Sequence, residues 1–452
     1  SSPIPSIARG ERACTHARLG MENFAPPARG GGVLLGPSPA RAAASDAEDD
    51  KVILLIEEGN KLFQQADYQE ALAKFKEACL SRQRTHGEDH IETARLLNSM
   101  GNAHNKMGDD QQALDYYGRV LAIRERDLGT SHAETARALS NCGIVRHKLG
   151  HHQAALQCHR RALEILETNP AVGPGHPDVA RSLCDLADVH DDEGEYAQAL
   201  QLYLRAIGVS EECFGEGHPD VARAIIGIGN VNMHRAAYKQ ARECFQRGLA
   251  IQERCLGKGH AAVATTLTNL GLAHEKLGDK EVALSMHARA LETQRRMLGD
   301  MHPDVARTYS HLGQAHEAKG DLDRAMECHS DALKIRELKL GLEHADTAYT
   351  LGRLGGIYRR KANYRKAMEY LHLSLAICEK VLGPVHLGTA IAAHNLGGAL
   401  QRSGEPEMAE VHFLRAVEVL QQQEENTGKN HPFLQYATES LDRCRQAMGQ
   451  AL

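Results

Sequence analysis

The stretch GHPDVAR stands at residues 175–181 and again, letter for letter, at 217–223, and MHPDVAR follows at 301–307. With its His as anchor, equivalent residues fall at His90, His132, His176, His218, His260, His302, His344, His386 and His431, at intervals of 42, 44, 42, 42, 42, 42, 42 and 45. Self-similarity at a fixed period of about 20 to 50 residues marks a stack of supersecondary units, each too small to bury its apolar face alone. The 452 residues would otherwise suggest about three domains; here they measure a number of repeats.

One unit, residues 302–341, reads HPDVARTYSHLGQAHEAKGDLDRAMECHSDALKIRELKLG. Its first helix opens with Pro303, whose missing N–H does no harm at the first helical position, and Asp304, which faces the positive end of the helix dipole. That helix stops at Gly320, and a second runs from about Leu322 to Leu340 and is closed by Gly341. Counting the anchor His as zero, positions 3, 7, 10 and 14 (Val305, Tyr309, Leu312, His316) share one face at helical spacing, which predicts burial. Position 11 is Gly or Ala in every unit from Gly101 to Gly397. A mid-helix Gly costs roughly 1 kcal/mol against Ala, so its recurrence predicts a close approach of helices. Position 23 is always Ala, from Ala113 to Ala409, and position 30 is mostly small.

Small residues at 11, 23 and 30, a ring at 14 and 27, and Tyr at 20 (Tyr196, Tyr238, Tyr364) resemble the tetratricopeptide repeat over about residues 51–452. The 42-residue length, the L-G-x-x-H-P-D-V-A joint and A-L-x-I-x-E in the second helix (ALEILE, 162–167) look specifically like the kinesin light chain class. Kinesin light chains carry a long heptad region ahead of the repeats, and residues 1–50 show none. The resemblance implies an all-α, right-handed α-α superhelical solenoid of tetratricopeptide helix hairpins, with the first helices on a concave inner wall. The expected organisation is a disordered low-complexity leader at 1–50, nine helix pairs at 51–430, and a C-terminal capping helix at 431–452. In the cap, Glu439, Asp442, Arg443 and Gln446 form a polar outer face, which a stack needs at its end.

Composition excludes several classes. The chain is 42% apolar and 25% charged, with a net charge of −6 and no apolar run long enough to span a bilayer, so neither nucleic-acid binding nor membrane insertion is expected. Eleven Cys sit singly, never as C-x-x-C, at columns where other units carry Leu, Ala or Ser. They read as core residues of a protein in a reducing, cytoplasmic compartment. Residues 1–50 hold five Arg, no Lys, a Gly-Gly-Gly run at 30–32 and an acidic end from Asp46 to Asp50. Such a stretch buries too little apolar surface to offset the entropy of ordering.

Candidate binding residues lie on a second face of each first helix, at positions 5, 9, 12 and 16. Asn is a mediocre helix former, yet it recurs at 9 (Asn141, Asn269, Asn395) and at 12 (Asn60, Asn102, Asn230). A side-chain amide donates and accepts, which suits an extended peptide backbone of any sequence. Arg95, Arg137, Arg181, Arg223 and Arg307 at position 5, Lys106 and Lys148 at 16, and Arg353 at 9 add charge-assisted bonds to acidic side chains. In kinesin light chains such Asn and basic positions contact cargo peptides, so the resemblance points to Asn141, Asn269, Asn395, Arg95, Arg137 and Arg307. Asp185 and Gly227 stand where Asn would be expected, and with Asp188, Asp191 and Asp192 they interrupt the wall. An acidic peptide is expected over the units at His90 and His132, with a lesser site near Arg353, Arg359, Arg360 and Arg402. Each Arg at 5 can instead pair along the joint with an acid at position 2. A chaperone-tail clamp would need Lys and Arg where Ser140 and Ile144 stand.

Metal and catalytic readings fail on spacing. His147, His151 and His152 are separated by Gly150, and HE at 274–275 and 316–317 meets Gly278 and Gly320 where a zinc-binding HExxH needs its second His. No phosphate-binding loop, dinucleotide fingerprint, nucleophile elbow or kinase set is present. The expectation is therefore a non-enzymatic scaffold or adaptor for protein or peptide partners, without cofactor or metal. A motor-cargo adaptor associated with the cytoskeleton is its narrower form. The alternatives are the regulatory repeat region of a larger enzyme, a spindle-polarity-type scaffold and an architectural spacer, and the sequence leaves the oligomeric state open.

Overall fold

The computed structural model describes residues 39–65, 67–427 and 432–449, and among them the only regular structure is helix. These residues fall into two compact units, one ending at Gly150 and one beginning at His151. The first holds α1 (Pro39–Gln64), α2 (Tyr68–His86), α3 (Ile91–Met107), α4 (Asp110–Leu128) and α5 (Ala133–Lys148). The second begins with α6 (His152–Thr168), α7 (Pro177–Asp192), α8 (Tyr196–Phe214), α9 (Pro219–His234), α10 (Tyr238–Leu256), α11 (Ala261–Leu277) and α12 (Lys280–Leu298). It continues through α13 (Pro303–Lys319), α14 (Leu322–Lys339), α15 (Ala345–Arg360), α16 (Tyr364–Val381), α17 (Leu387–Ser403), α18 (Pro406–Thr427) and α19 (Pro432–Gly449). Within each unit every helix packs on the next in the chain, and in the second unit the odd-numbered helices also touch one another, α7 on α9, α9 on α11, α11 on α13 and α15 on α17. That is the all-α stack of helix pairs the period requires.

The small columns are where helices meet. The Ala of position 23 is fully buried in all eight units, from Ala113 to Ala409. At position 11 the reason for Gly is steric: a Cβ on Gly101 would lie 2.7 Å from the Tyr117 ring, and one on Gly229 2.5 Å from the Phe245 ring. The ring of position 27 thus rests directly on the backbone of the preceding helix, and the lost helix propensity is offset by burying Tyr117, Phe245 and Phe413 at 2%, 0% and 1% exposure. Gly278 and Gly320 close their helices in the left-handed region, at φ 89° and 95°.

The joint heptad is a capping device. In α3, α5, α7, α9, α11, α13, α15 and α17 the anchor His is the N-cap, and its Nδ1 accepts the backbone N–H two residues on, at 3.0–3.2 Å. This satisfies one of the donors a helix start leaves open, a role ordinarily taken by Ser, Thr, Asp or Asn. Pro at the first turn of α7, α9 and α13 and an acid beside it complete the start.

At the ends the expected boundaries shift. α1 begins at Pro39, so helix reaches twelve residues into the stretch read as leader and takes in the acidic run from Asp46. The remaining leader, 1–38, lies outside the described residues, as do 428–431 ahead of the cap. Helix α19 buries Ala437, Leu441 and Cys444 in the core it shares with α17 and α18, while Glu439, Asp442, Arg443 and Gln446 are exposed. Cys142, Cys184, Cys378 and Cys444 are buried core residues, as their columns suggest, whereas Cys213 is exposed. No helix among the described residues is long and apolar enough to cross a membrane.

Candidate functional site

Within each unit, the odd-numbered helices from α3 to α17 start from the same cap and bury the same columns, so each presents positions 5, 9, 12 and 16 on its other face. Arg95, Arg137, Arg181, Arg223, Arg307, Lys106 and Lys148 are exposed, and Asn102, Asn141, Asn230, Asn269, Asn395 and Arg353 are partly buried between neighbours. The predicted columns therefore lie at the surface of each unit's leading helices, with the amides lower in the wall and the cations at its rim.

In the first unit, α3 and α5 are tied side by side. Asn141 Nδ2 donates to Asn98 Oδ1 at 2.9 Å, and the Lys148 ammonium donates to the Asn105 amide oxygen with Asp110 at 3.8 Å. Tyr117 Oη donates to Asn102 Oδ1 at 2.6 Å, which occupies that acceptor and orients the amide. The arginines pair along their own helix: Arg95 with Glu92 at 3.4 Å and Arg137 with Glu134. In the second unit Arg181 and Arg307 do the same with Asp178 at 2.8 Å and Asp304 at 2.9 Å. The pairing along the joint is thus real. At this exposure such pairs contribute about 0–1 kcal/mol each, so a partner's carboxylate can replace them.

The interruption at α7 and α9 is a closed network. Arg223 binds Asp185, Tyr203 Oη donates to Asp188, and Asp191, 5% exposed, holds His234 Nδ1 at 3.0 Å. Burial raises the Asp191 pKa against the pull of His234. The acids that interrupt the wall are therefore largely spent on the chain's own groups. Gly227 replaces Asn for a steric reason, since a Cβ there would lie 2.3 Å from the Tyr203 ring. Further along, Asn269 Nδ2 donates to Asn230 Oδ1 at 3.2 Å, so a position-9 Asn again bonds an Asn of the preceding leading helix, here at position 12.

Two histidine roles escaped the sequence reading. His104 and His274 set Nδ1 against Asp109 and Asp279 at 3.2 and 3.0 Å, His190 does so against Glu195, and His316 lies 3.9 Å from Asp321. An acid five residues after the His was the legible signal. At position 27, His287 and His329 are fully buried and bond Glu275 and Glu317 of the preceding helix at 3.1 and 3.0 Å. The HE pairs at 274–275 and 316–317 therefore serve the packing of α12 and α14. Glu317 also takes Arg353 at 2.7 Å and Arg360 at 3.5 Å. Burial works against its carboxylate, but the His329 bond and the Arg353 charge outweigh it and hold its pKa below the usual range. Arg353 is thus a structural tie between α13 and α15.

Two family descriptions, both of the tetratricopeptide repeat, match the chain, one over residues 54–126, 92–168, 220–296, 281–338, 304–371 and 345–422 and the other over 179–220. Among solved structures, BtubC (BKLC) from P. vanneervenii is similar at 24% identity, with 52% of this chain and 91% of that one covered and a TM-score of 0.42. A Podosopora anserina protein of kinesin light chain type with nearly identical TPR-like repeats matches at 21% identity over 45% of this chain and 97% of its own, TM-score 0.41. The STAND signal transduction ATPase with a tetratricopeptide repeat sensor from Pyrococcus horikoshii matches at 12% identity, TM-score 0.52, over 78% of this chain, which spans about half (52%) of that protein. No curated protein matches the chain in sequence.

Proposed function

The chain belongs to the tetratricopeptide repeat family, and from that premise we propose that it is a non-enzymatic adaptor holding an extended, acidic peptide segment of a partner protein on its leading-helix face. The peptide docks first over α3 and α5. The observation that carries this reading is the layering of that face: amides of Asn102 and Asn141 partly buried in the wall, with Arg95, Lys106, Arg137 and Lys148 exposed above them. Amides oriented by neighbours can meet backbone N–H and C=O groups without selecting a side chain, and the cations select for acids. Orientation before binding also lowers the entropy cost of association. In the second unit Asn230, Asn269, Arg307 and Asn395 stand at the equivalent repeat positions, while the closed network of α7 and α9 offers less. The cysteines packed as core residues fit a reducing, cytoplasmic place of action, and a cargo adaptor for a motor is the narrower form of the same reading.

The test is a peptide array of acidic and neutral extended peptides probed with the full chain. Retention should favour the acidic set, and the double charge reversal Arg95→Glu with Arg137→Glu should weaken it at least about tenfold, or ~1.4 kcal/mol, with helicity unchanged because both side chains are exposed. Equal retention of both peptide sets, or unaltered binding by the double variant, would leave the spacer role instead.

A further inference from the structure

Arg359 lies near the end of α15, half-buried, and its guanidinium crosses the backbone of α17: a Cβ added to Gly398 would lie 2.7 Å from Arg359 Nη1. Taking a guanidinium out of water is costly unless acceptors replace the lost solvent. Elsewhere this chain supplies them. Buried Arg124 donates to the Glu134 carbonyl at 3.0 Å and pairs with its carboxylate at 2.9 Å, and buried Arg336 donates to the Asp346 carbonyl at 3.1 Å and to the Thr350 hydroxyl. Among the described residues Arg359 has no such acceptor, and neither it nor Arg402 of α17 has a carboxylate partner.

The surroundings of Arg359 are instead of its own sign. Burial holds its pKa below the usual range, and Arg402 and Arg360 push the same way against the Tyr436 hydroxyl alone. Arg443 of α19 joins the group. Its Nε donates to the Glu439 carbonyl at 3.1 Å and its Nη2 to Ser440 Oγ at 3.3 Å, and with Arg359 it bears on His394 of α17. The His394 ring is 5% exposed, lies tilted against the Tyr436 ring at 5.0 Å between centroids and meets Ser440 Oγ at 3.1 Å, so α17 and α19 together floor the cluster. A half-buried arginine held among arginines, in a space kept by a glycine, is the electrostatic complement of an oxyanion. The guanidinium fork fits the two oxygens of a carboxylate.

We propose that Arg359, Arg402 and Arg443 form a site for an acidic side chain of a peptide held on the second unit, at its α15, α17 and α19 end. It rests on the adaptor reading and adds to it a separate anchor within the second unit, where a peptide carboxylate supplies the counter-charge the fold leaves out. Charge complementarity is the ground for this occupant, and Tyr436, half exposed, offers a hydroxyl to the same oxyanion.

The test is fluorescence anisotropy of a fluorescein-labelled peptide of alternating glycine and glutamate against the full chain, its Arg359→Gln/Arg402→Gln variant and its Arg95→Gln/Arg137→Gln variant. The first variant should bind at least about tenfold more weakly than the parent, with its melting temperature held or raised, because it removes like charges that repel. Affinity equal to the parent in that variant, with loss only in the Arg95/Arg137 variant, would overturn the subsite and leave the adaptor reading standing. No effect of either variant, or no binding by the parent, would overturn both for this acidic probe. A phosphoserine peptide of the same length is the last arm. If it alone loses affinity on Arg359→Gln/Arg402→Gln, the ligand is phosphate and the carboxylate assignment falls.

Discussion

Gly227 on α9 and Gly398 on α17 each clear a space that another helix fills with a side chain, and the two spaces differ in what that side chain bonds. Beside Gly227 the Tyr203 ring is 1% exposed and its hydroxyl is spent on Asp188, with Arg223 and His234 answered by Asp185 and Asp191. Beside Gly398 a guanidinium lies among cations, and no acid answers it among the described residues. One repeat geometry thus yields a wall that satisfies itself and a wall that does not. The difference rests on a few residues: acids at positions 9 and 12 of α7, where α15 has Arg353 and Gly356. Binding capacity in such an array is set by what each unit leaves unspent, not by the period.

Acid should give the largest effect and separates the two regions. Burial, then the charges of Arg359 and Arg443, push His394 down to about 4, and burial, with His287 and Arg307, does the same to His311. Burial also lowers His218 and His260 at two of the caps. Each folded-state pKa lies below the unfolded value, so from about pH 6.5 downward the unfolded chain takes up protons that the fold refuses. Stability is then full above about 6.5 and falls toward pH 4, by about 1 kcal/mol per pH unit for each strongly shifted ring. Melts followed by circular dichroism from pH 7 to 4.5 should show a falling Tm. Arg359→Gln should soften the fall by raising the His394 pKa, whereas Arg223→Gln should not, since no shifted histidine depends on it. A flat Tm would contradict the assignment.

The self-satisfied region is next. In Gly227→Ala the new methyl would sit 2.3 Å from the Tyr203 ring, a rigid group with its hydroxyl anchored. Overpacking of this kind costs about 1–3 kcal/mol, less the ~1 kcal/mol of helix propensity that Ala returns. Urea denaturation should show a net loss of up to about 2 kcal/mol together with release of the Asp188 bond. A variant as stable as the parent would mean that the ring moves freely and that the network is looser than its distances imply.

What the sequence disclosed follows from the same distinction. Columns set by packing within one helix pair were legible: Gly101 and Gly229 announced close approach, Ala113 to Ala409 announced burial, and Pro303 and Gly320 marked the bounds of α13. The exposed face was legible as a face, since position 5 must point away if position 3 points in. Its bonding was not. Asn141 to Asn98, Arg223 to Asp185 and Arg353 to Glu317 span 43, 38 and 36 residues, and which neighbour a long side chain meets depends on how units stack, which a period does not encode. Asn102 read as a free amide, yet its oxygen serves Tyr117 fifteen residues on. The anchor His read as a joint, and its capping role was hidden because imidazole is an uncommon N-cap.

The smallest effect on stability, and the sharpest contrast, belongs to Gly398→Ala. The new methyl would meet Arg359 Nη1 at 2.7 Å, but this is the far end of a flexible side chain with no acid to hold it. Swinging the guanidinium outward relieves the contact and returns it to water, while Ala favours the helix by up to about 1 kcal/mol. Urea denaturation should therefore find a variant within about 0.5 kcal/mol of the parent or slightly more stable, the opposite sign to Gly227→Ala at an equivalent clash. Acidic-peptide affinity should fall all the same, because the arginine is no longer held beside Arg402 and Arg443. A destabilised Gly398→Ala would mean that Arg359 is anchored by the fold itself, and the contrast between the two glycines would be lost.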